Sequence, residues 1–431
     1  MLSNCMQFKL KKGEDMKKIL GLVFVLALFV PAVAQAKINL YGQFDVAGYS
    51  FDGTMGGISG IEAPSDTYMR AILGANFGLA ENIEANVALL YGRFWGEYSK
   101  TDGNNPGEST QGVLDTTKIA EANVVFKNLF DNDKISLKLG KFFYGDKGNS
   151  VFYIGPKDLN TYNLSTVIAG KGALQALNET GMDGALLSYN DTKENLKVDV
   201  GYSKLSSDNY STMSIFSSSS NEKVNVVFAD ARYKYNDMLG LQAYVYDFES
   251  YNSSSNDRDR YDFIGVKPSV EINDLKASLE VIQSFYSEKG NIADDGYDRY
   301  FAKLDASYKV NDSLTPRAMY IRTGKNYIAP LNDIYLGLLM TSIYYYNSTG
   351  LTNTDILNAG VDYKINKFKI LADYFRIVSS DYYFPIYEVD LRAEYNYTEK
   401  IVFKGGIGYY SMEQNGDRNA TIYTLGLGWK F

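Results

Sequence analysis

The chain has 431 residues, 43 basic and 51 acidic, with 37 Tyr, 23 Phe, 38 Gly and no histidine. Without histidine, Ser-His-Asp hydrolysis, Cys-His chemistry and His-ligated metal sites each lose an essential member. After position 36 the chain keeps 38 basic and 49 acidic residues, a net charge of −11, which makes nucleic acid a poor partner.

The first 36 residues read as a leader. Met16-Lys17-Lys18 opens a charged segment, residues 19–30 are apolar, and Ala34-Gln35-Ala36 is a small-x-small cleavage site. The apolar run is about a dozen residues and stops before Pro31, short of the roughly 20 that a spanning helix needs. Cleavage is expected after Ala36, with Met16 as the true start. Cys5, the only cysteine, then never enters the mature chain, so no disulfide and no Cys-ligated metal is expected.

Residues 37–431 read as one domain. Strand-like alternation begins at Ile38-Asn39-Leu40-Tyr41 and recurs with a period of two. Ala120, Ala122, Val124 and Phe126 oppose Glu121, Asn123 and Lys127, and Leu196, Val198, Val200 and Tyr202 oppose Lys197, Asp199 and Ser203. Later, Tyr300, Ala302, Leu304 and Ala306 oppose Arg299, Lys303, Asp305 and Ser307. Connections switch between short and long. Short polar turns are expected at 81–82, 131–133, 191–193, 236–237, 273–274, 311–312, 366–367 and 398–399, where Asn and Asp tolerate left-handed backbone. Longer Gly/Ser/Asn-rich stretches lie between them. Eight short and nine long connections give 18 strands, with 16 as the alternative, because 328–353 and 381–384 are hard to parse.

This pattern predicts an all-β, transmembrane, antiparallel up-and-down β-barrel, since only a closed sheet satisfies every backbone group in hydrocarbon. The carboxy-terminal strand is its sharpest mark: Tyr423, Leu425, Leu427, Trp429 and Phe431 form one apolar face ending on an aromatic. That face resembles the last strand of outer-membrane barrels, which implies an assembly signal read by the barrel assembly machinery. Trp95 is expected in the outer aromatic girdle and Trp429 in the periplasmic one.

Alternation points a mixed set of charges into the lumen, among them Arg70, Glu121, Lys127, Lys138, Arg232, Arg299, Lys303, Asp305 and Arg392. Cations and anions nearly balance, predicting weak charge selectivity. The long connection 145–180 carries the apolar patch Val151-Phe152-Tyr153-Ile154, unusual for a surface loop. It is expected to fold inward and narrow the pore, with Lys147, Lys157, Asp158 and Lys171 as lining charges. Nothing singles out a catalytic pair, a metal or a cofactor.

The segment 121–190 is similar to the alginate-export-type outer-membrane porins. The similarity rests on Glu121-Ala122-Asn123-Val124-Val125-Phe126-Lys127-Asn128, Leu137-Lys138-Leu139-Gly140-Lys141, Gly145-Asp146, Gly155-Pro156 and Met182-Asp183-Gly184-Ala185. The resemblance implies an 18-stranded barrel passing hydrophilic molecules. Lys141 and Met182 stand where the family commonly has Arg, which favours a general porin over a strongly electropositive polyuronate channel. The expected function is therefore a passive channel for small hydrophilic solutes and ions in a Gram-negative outer membrane, in contact with lipopolysaccharide, as a monomer or homotrimer. The competing expectation is an occluded barrel acting as an adhesin or structural protein.

Overall fold

The structure is a computed structural model. It describes residues 37–53, 66–95, 117–156, 180–205, 222–252, 257–288, 291–292, 298–327, 334–338, 353–379, 382–412 and 418–431. Its strands in chain order are β1 (Ile38–Gly53), β2 (Asp66–Ala80), β3 (Ile83–Trp95), β4 (Lys118–Phe126), β5 (Ile135–Phe142), β6 (Met182–Asp191), β7 (Leu196–Leu205), β8 (Glu222–Lys234), β9 (Leu239–Asn252) and β10 (Asp257–Ile272). They continue with β11 (Leu275–Glu288), β12 (Asn291–Ile292), β13 (Tyr300–Tyr308), β14 (Leu314–Thr323), β15 (Thr354–Ile365), β16 (Phe368–Ser379), β17 (Tyr382–Asn396), β18 (Ile401–Met412) and β19 (Arg418–Lys430).

Each long strand pairs antiparallel with its sequence neighbours. The sheet closes where β1 meets β19, from Gln43 opposite Lys430 to Gly53 opposite Ala420. The two-residue β12 only extends the edge of β11, which pairs directly with β13 from Gln283–Tyr300 to Leu275–Tyr308. The barrel therefore has 18 staves, and the 16-stranded alternative is set aside.

The two faces differ as a membrane wall requires. Outward positions carry Leu73, Val245, Ile264, Leu304, Leu391 and Leu425, all exposed. Burying such a side chain is worth roughly 1.5–3 kcal/mol, so this belt is stable only against hydrocarbon. Among the described residues no helix is long and apolar enough to cross a membrane. At the long-loop end the belt gives way to outward-facing polar contacts. Arg260 Nε donates to Asp247 Oδ1 at 3.0 Å, and Tyr320 OH to Asp355 Oδ1 at 2.5 Å. At the short-turn end it finishes in aromatics, including Tyr233 beside Tyr235 (centroids 6.5 Å apart) and Trp429 beside Phe431 (5.1 Å). Trp429 thus lies at the short-turn end, while the side chain of Trp95 falls outside the described residues.

Two local details depart from the sequence reading. A bulge opposite Ala88 and Leu89 takes Ala120 off the outer face of β4. It is fully buried with Ile72, Ala88 and Leu90 instead of sharing a face with Ala122. The β4–β5 turn has its apex at Phe130–Asp131, inside a Leu129–Asn132 bridge, one residue earlier than the Asp/Asn run suggested.

Candidate functional site

The chain leaving β5 turns into the lumen. Tyr144 and Ile154 exchange backbone hydrogen bonds of 2.9 and 2.8 Å, closing a narrow loop across residues 144–154. Gly145 sits there at φ +89°, where an added Cβ would lie 2.5 Å from the Phe152 carbonyl oxygen, so only glycine permits this approach. Asn149 Oδ1 accepts from the backbone N–H groups of Val151 (2.8 Å) and Phe152 (2.7 Å), bracing the tip.

The apolar patch that looked out of place in a surface loop supplies the reason for this path. Phe152 is completely buried against Phe228 of β8 and Tyr246 and Phe248 of β9, with centroid distances of 5.7, 5.4 and 5.4 Å. All three contacts are edge-to-face, a favourable aromatic geometry. Gly201 on β7 leaves the floor open for the Phe228 ring, whose Cζ lies 2.1 Å from where a Cβ would stand. Two polar contacts fix the loop further. Asp146 pairs with Arg232 on β8, and the Ser150 hydroxyl donates to Glu280 Oε2 on β11 at 2.5 Å. Tyr244 OH donates to the other oxygen of Glu280 at 2.6 Å, so this buried carboxylate is bonded at both atoms.

A second inward segment, residues 334–338, packs on the opposite wall. Ile334, Leu336 and Leu338 are buried. Tyr335 OH (2.7 Å) and the Leu338 backbone N–H (3.0 Å) both donate to Asp390 Oδ2 on β17. Burial, with Asp390 alongside, pushes the Tyr335 phenol well above its usual range, keeping it a donor. The Arg392 guanidinium lies 4.2 Å from the Tyr335 ring centroid and also donates to Asp373 Oδ2 at 2.8 Å. Arg317 reaches the same oxygen at 2.7 Å and Asp362 at 2.8 Å, while Asn358 donates to Asp373 Oδ1 at 3.0 Å. Asp373 is thus a fully enclosed carboxylate shared by two guanidinium groups and an amide, the kind of satisfaction a buried charge demands.

Among the described residues, two cavities lie beside these segments. One, of 740 Å³, is lined by Arg232, Lys234, Lys267, Lys276, Lys303 and Arg317 against Asp237, Glu271 and Asp305, with Tyr335 and Ile334 on its boundary. The other, of 560 Å³, balances Lys138, Lys197 and Arg232 against Glu84, Asp146 and Asp199. Among the described residues Arg232 alone lines both. It stands where the loop divides the lumen, bonded to Asp230 Oδ1 (3.0 Å) as well as to Asp146.

The residues singled out from the sequence are distributed unevenly. Arg232, Lys303 and Asp305 line the larger cavity and Lys138 the smaller. Lys127 pairs with Glu84 (2.5 Å) at the short-turn mouth, and Glu121 accepts from Tyr41 OH at 3.3 Å. Arg70 is fully buried, its Nη2 2.6 Å from Asp45 Oδ2, so it braces the wall and faces no water. Arg299 lies over the Tyr286 ring and donates to the Asn326 carbonyl, and Arg392 is covered by Tyr335. Lys157, Asp158 and Lys171 fall outside the described residues; Lys147 is exposed. Arg317, Asp373, Ser150 and the segment 334–338 were not anticipated as partners. For Arg317 the available signal was its place one residue after Pro316 on an alternating strand; for the segment it was the Ile-Tyr-Leu-Gly-Leu run inside a long connection.

No protein-family model matches the sequence, and no curated protein does. Solved structures do match in shape. Pseudomonas aeruginosa OccK8 (OprE) superposes with a TM-score of 0.59 at 11% identity, over 93% of this chain and 98% of that one. P. aeruginosa OpdK, solved with vanillate, gives 0.58 at 11% identity over 91% and 99%. Acinetobacter baumannii OccAB4 gives 0.57 at 10% identity over 92% and 99%. The fold is that of the Occ proteins. At such low identity the likeness to OccK8, OpdK and OccAB4 fixes the barrel architecture and nothing residue-specific. The lumen contacts above therefore have to be argued from this chain itself.

Proposed function

We propose that this protein is a porin: a non-enzymatic, passive channel for small hydrophilic solutes and ions in a Gram-negative outer membrane. The observation that carries the reading is the pair of cavities with charged side chains on their walls, beside two inward segments and inside a barrel whose outer wall is apolar. Such an interior offers hydrated charges along the lumen while the inward segments limit the cross-section. The Occ-type fold supports the same reading, and the expected leader with its small-x-small site supports export.

Cations outnumber anions six to three around the 740 Å³ cavity. That surplus, reduced by Asp230 behind Arg232 and by Asp362 and Asp373 behind Arg317, supports a mild preference for small anions over the near-neutral lumen expected from counting all inward charges. The alginate-export resemblance contributes a finer possibility for the 121–190 segment, tested by whether uronate oligomers block current. Contact with lipopolysaccharide, recognition of Tyr423, Leu425, Leu427, Trp429 and Phe431 by the assembly machinery, and the choice between monomer and homotrimer belong to the same proposal. Bilayer recording in asymmetric salt is the test. Discrete steps with an anion-selective reversal potential are expected; a protein that inserts but gives no steps is an occluded barrel, and the proposal fails.

A further inference from the structure

Three turns at the short-turn end share a feature that a fourth breaks. Asn195, Asn273 and Asn366 each occupy a left-handed position with φ 51°, the use for which Asn is suited. The β4–β5 hairpin instead places Phe130 (φ 57°) and Asp131 (φ 56°) at the centre of a turn closed by the Leu129–Asn132 bridge. Positive φ at both central residues defines the mirror-image type I turn, where Asn and Gly are normally required. A bulky ring there is sterically disfavoured.

Among the described residues no side chain covers it. Phe130 is 89% exposed, the most exposed large apolar side chain among the described residues. The stem beneath it is firmly tied. Lys127 N–H donates to the Asn82 carbonyl and Asn190 N–H to the Lys134 carbonyl, both at 2.8 Å, and Lys134 Nζ lies 2.5 Å from Asp191 Oδ2. Residues 128–133 therefore stand past the β2–β3 turn on a fixed base.

We propose that Phe130 is a membrane anchor, inserting at the boundary of headgroups and acyl chains in the leaflet on the short-turn side. The occupant is lipid because the aromatic rim at this end continues into the short connections: Tyr235 and Tyr397 are exposed there as well, next to Tyr233 and Phe403 on the strands. Rings at such a boundary satisfy an apolar body against chains and a polar surround. Lys127 and Lys134 are paired with Glu84 and Asp191, which leaves Asp131 and Asp133 to hold the tip shallow. The proposal rests on the barrel being membrane-spanning.

The test compares the parent protein with Phe130→Trp, each folded into phospholipid vesicles whose acyl chains are brominated near the headgroup. The difference spectrum isolates residue 130, because Trp95 and Trp429 are common to both. The expected result is blue-shifted extra emission, quenched several-fold more by the brominated lipid than by aqueous iodide. Red emission quenched by iodide alone places the tip in water, open to a soluble partner, and overturns the anchor. If the parent's own emission ignores brominated lipid, the membrane reading fails and the anchor falls with it. Phe130→Asn supplies a second arm, since Asn suits the turn. It is expected to fold in micelles like the parent but to enter vesicles several-fold more slowly; equal insertion rates exclude a lipid role.

Discussion

The Ser150 hydroxyl, on the loop after β5, donates to Glu280 on β11 across a sequence gap of 130 residues. This contact and the Asp146–Arg232 pair are what the loop tip gains from lying inside the barrel. Ser150→Ala leaves Glu280 short of a donor in a buried site and is expected to destabilise the loop by about 1–3 kcal/mol. Noisier single-channel current with an unchanged barrel circular dichroism spectrum is the signature; quiet, parent-like current shows the contact to be dispensable.

Arg232 borders both cavities, so its charge acts on ions that enter either of them. Arg232→Gln should move the reversal potential in asymmetric salt toward cations and free Asp146 from its partner. A reversal potential that stays at the parent value would show that permeant ions avoid this point.

Asp373 holds Arg317 and Arg392 together beneath the segment 334–338. Asp373→Asn removes the anion that the two guanidinium groups share and leaves only Asp362 beside Arg317, and a loss of roughly 3–5 kcal/mol is expected from breaking such a buried arrangement. Denaturant unfolding in micelles, followed by tryptophan emission, measures it.

Gly201 has the Phe228 ring directly above it. Gly201→Leu must tilt that ring and with it Phe152, at a cost of roughly 1–3 kcal/mol. Step conductance should change alongside stability, because the displaced ring is the loop's main apolar seat.

Asp312 and Lys309 pair across an exposed turn at 2.7 Å. The hydrogen bond from Lys309, with its charge, holds the Asp312 carboxyl below its ordinary value, and Asp312 raises the Lys309 ammonium in turn. A depressed carboxyl contributes stability above its unfolded pKa and loses it as pH falls through the folded one. A raised ammonium contributes below its unfolded pKa and loses that as pH rises through its folded one. The small difference between the parent and Asp312→Asn should therefore be flat at neutral pH. It should shrink on acidification below the ordinary carboxylate range and again on strong alkalinisation. High salt should erase it, because the pair is solvent-exposed.

The staves were legible because a half-buried strand writes its two faces into alternate residues, and Asn/Asp turns mark where it reverses. Parity also put Arg232, Lys303 and Asp305 on the correct face. What parity does not carry is depth: Arg70 and Arg392 share the inward face with Arg232, yet one is sealed by Asp45 and the other by Tyr335. Those covers come from residues 25 and 57 positions away, and no local pattern announces them. The bulge at Ala120 was hidden for a similar reason, since it depends on how β3 and β4 register. Of the connection 145–180, expected to fold inward, the described part 145–156 was the exception. Its four consecutive apolar residues had no plausible place in water.

The seam between β1 and β19 joins residues at almost opposite ends of the described chain. Every other stave can find a partner beside it in sequence, but these two must wait for each other. Until they meet, the nascent cylinder exposes a pair of hungry strand borders, open to any extended peptide or sister molecule nearby.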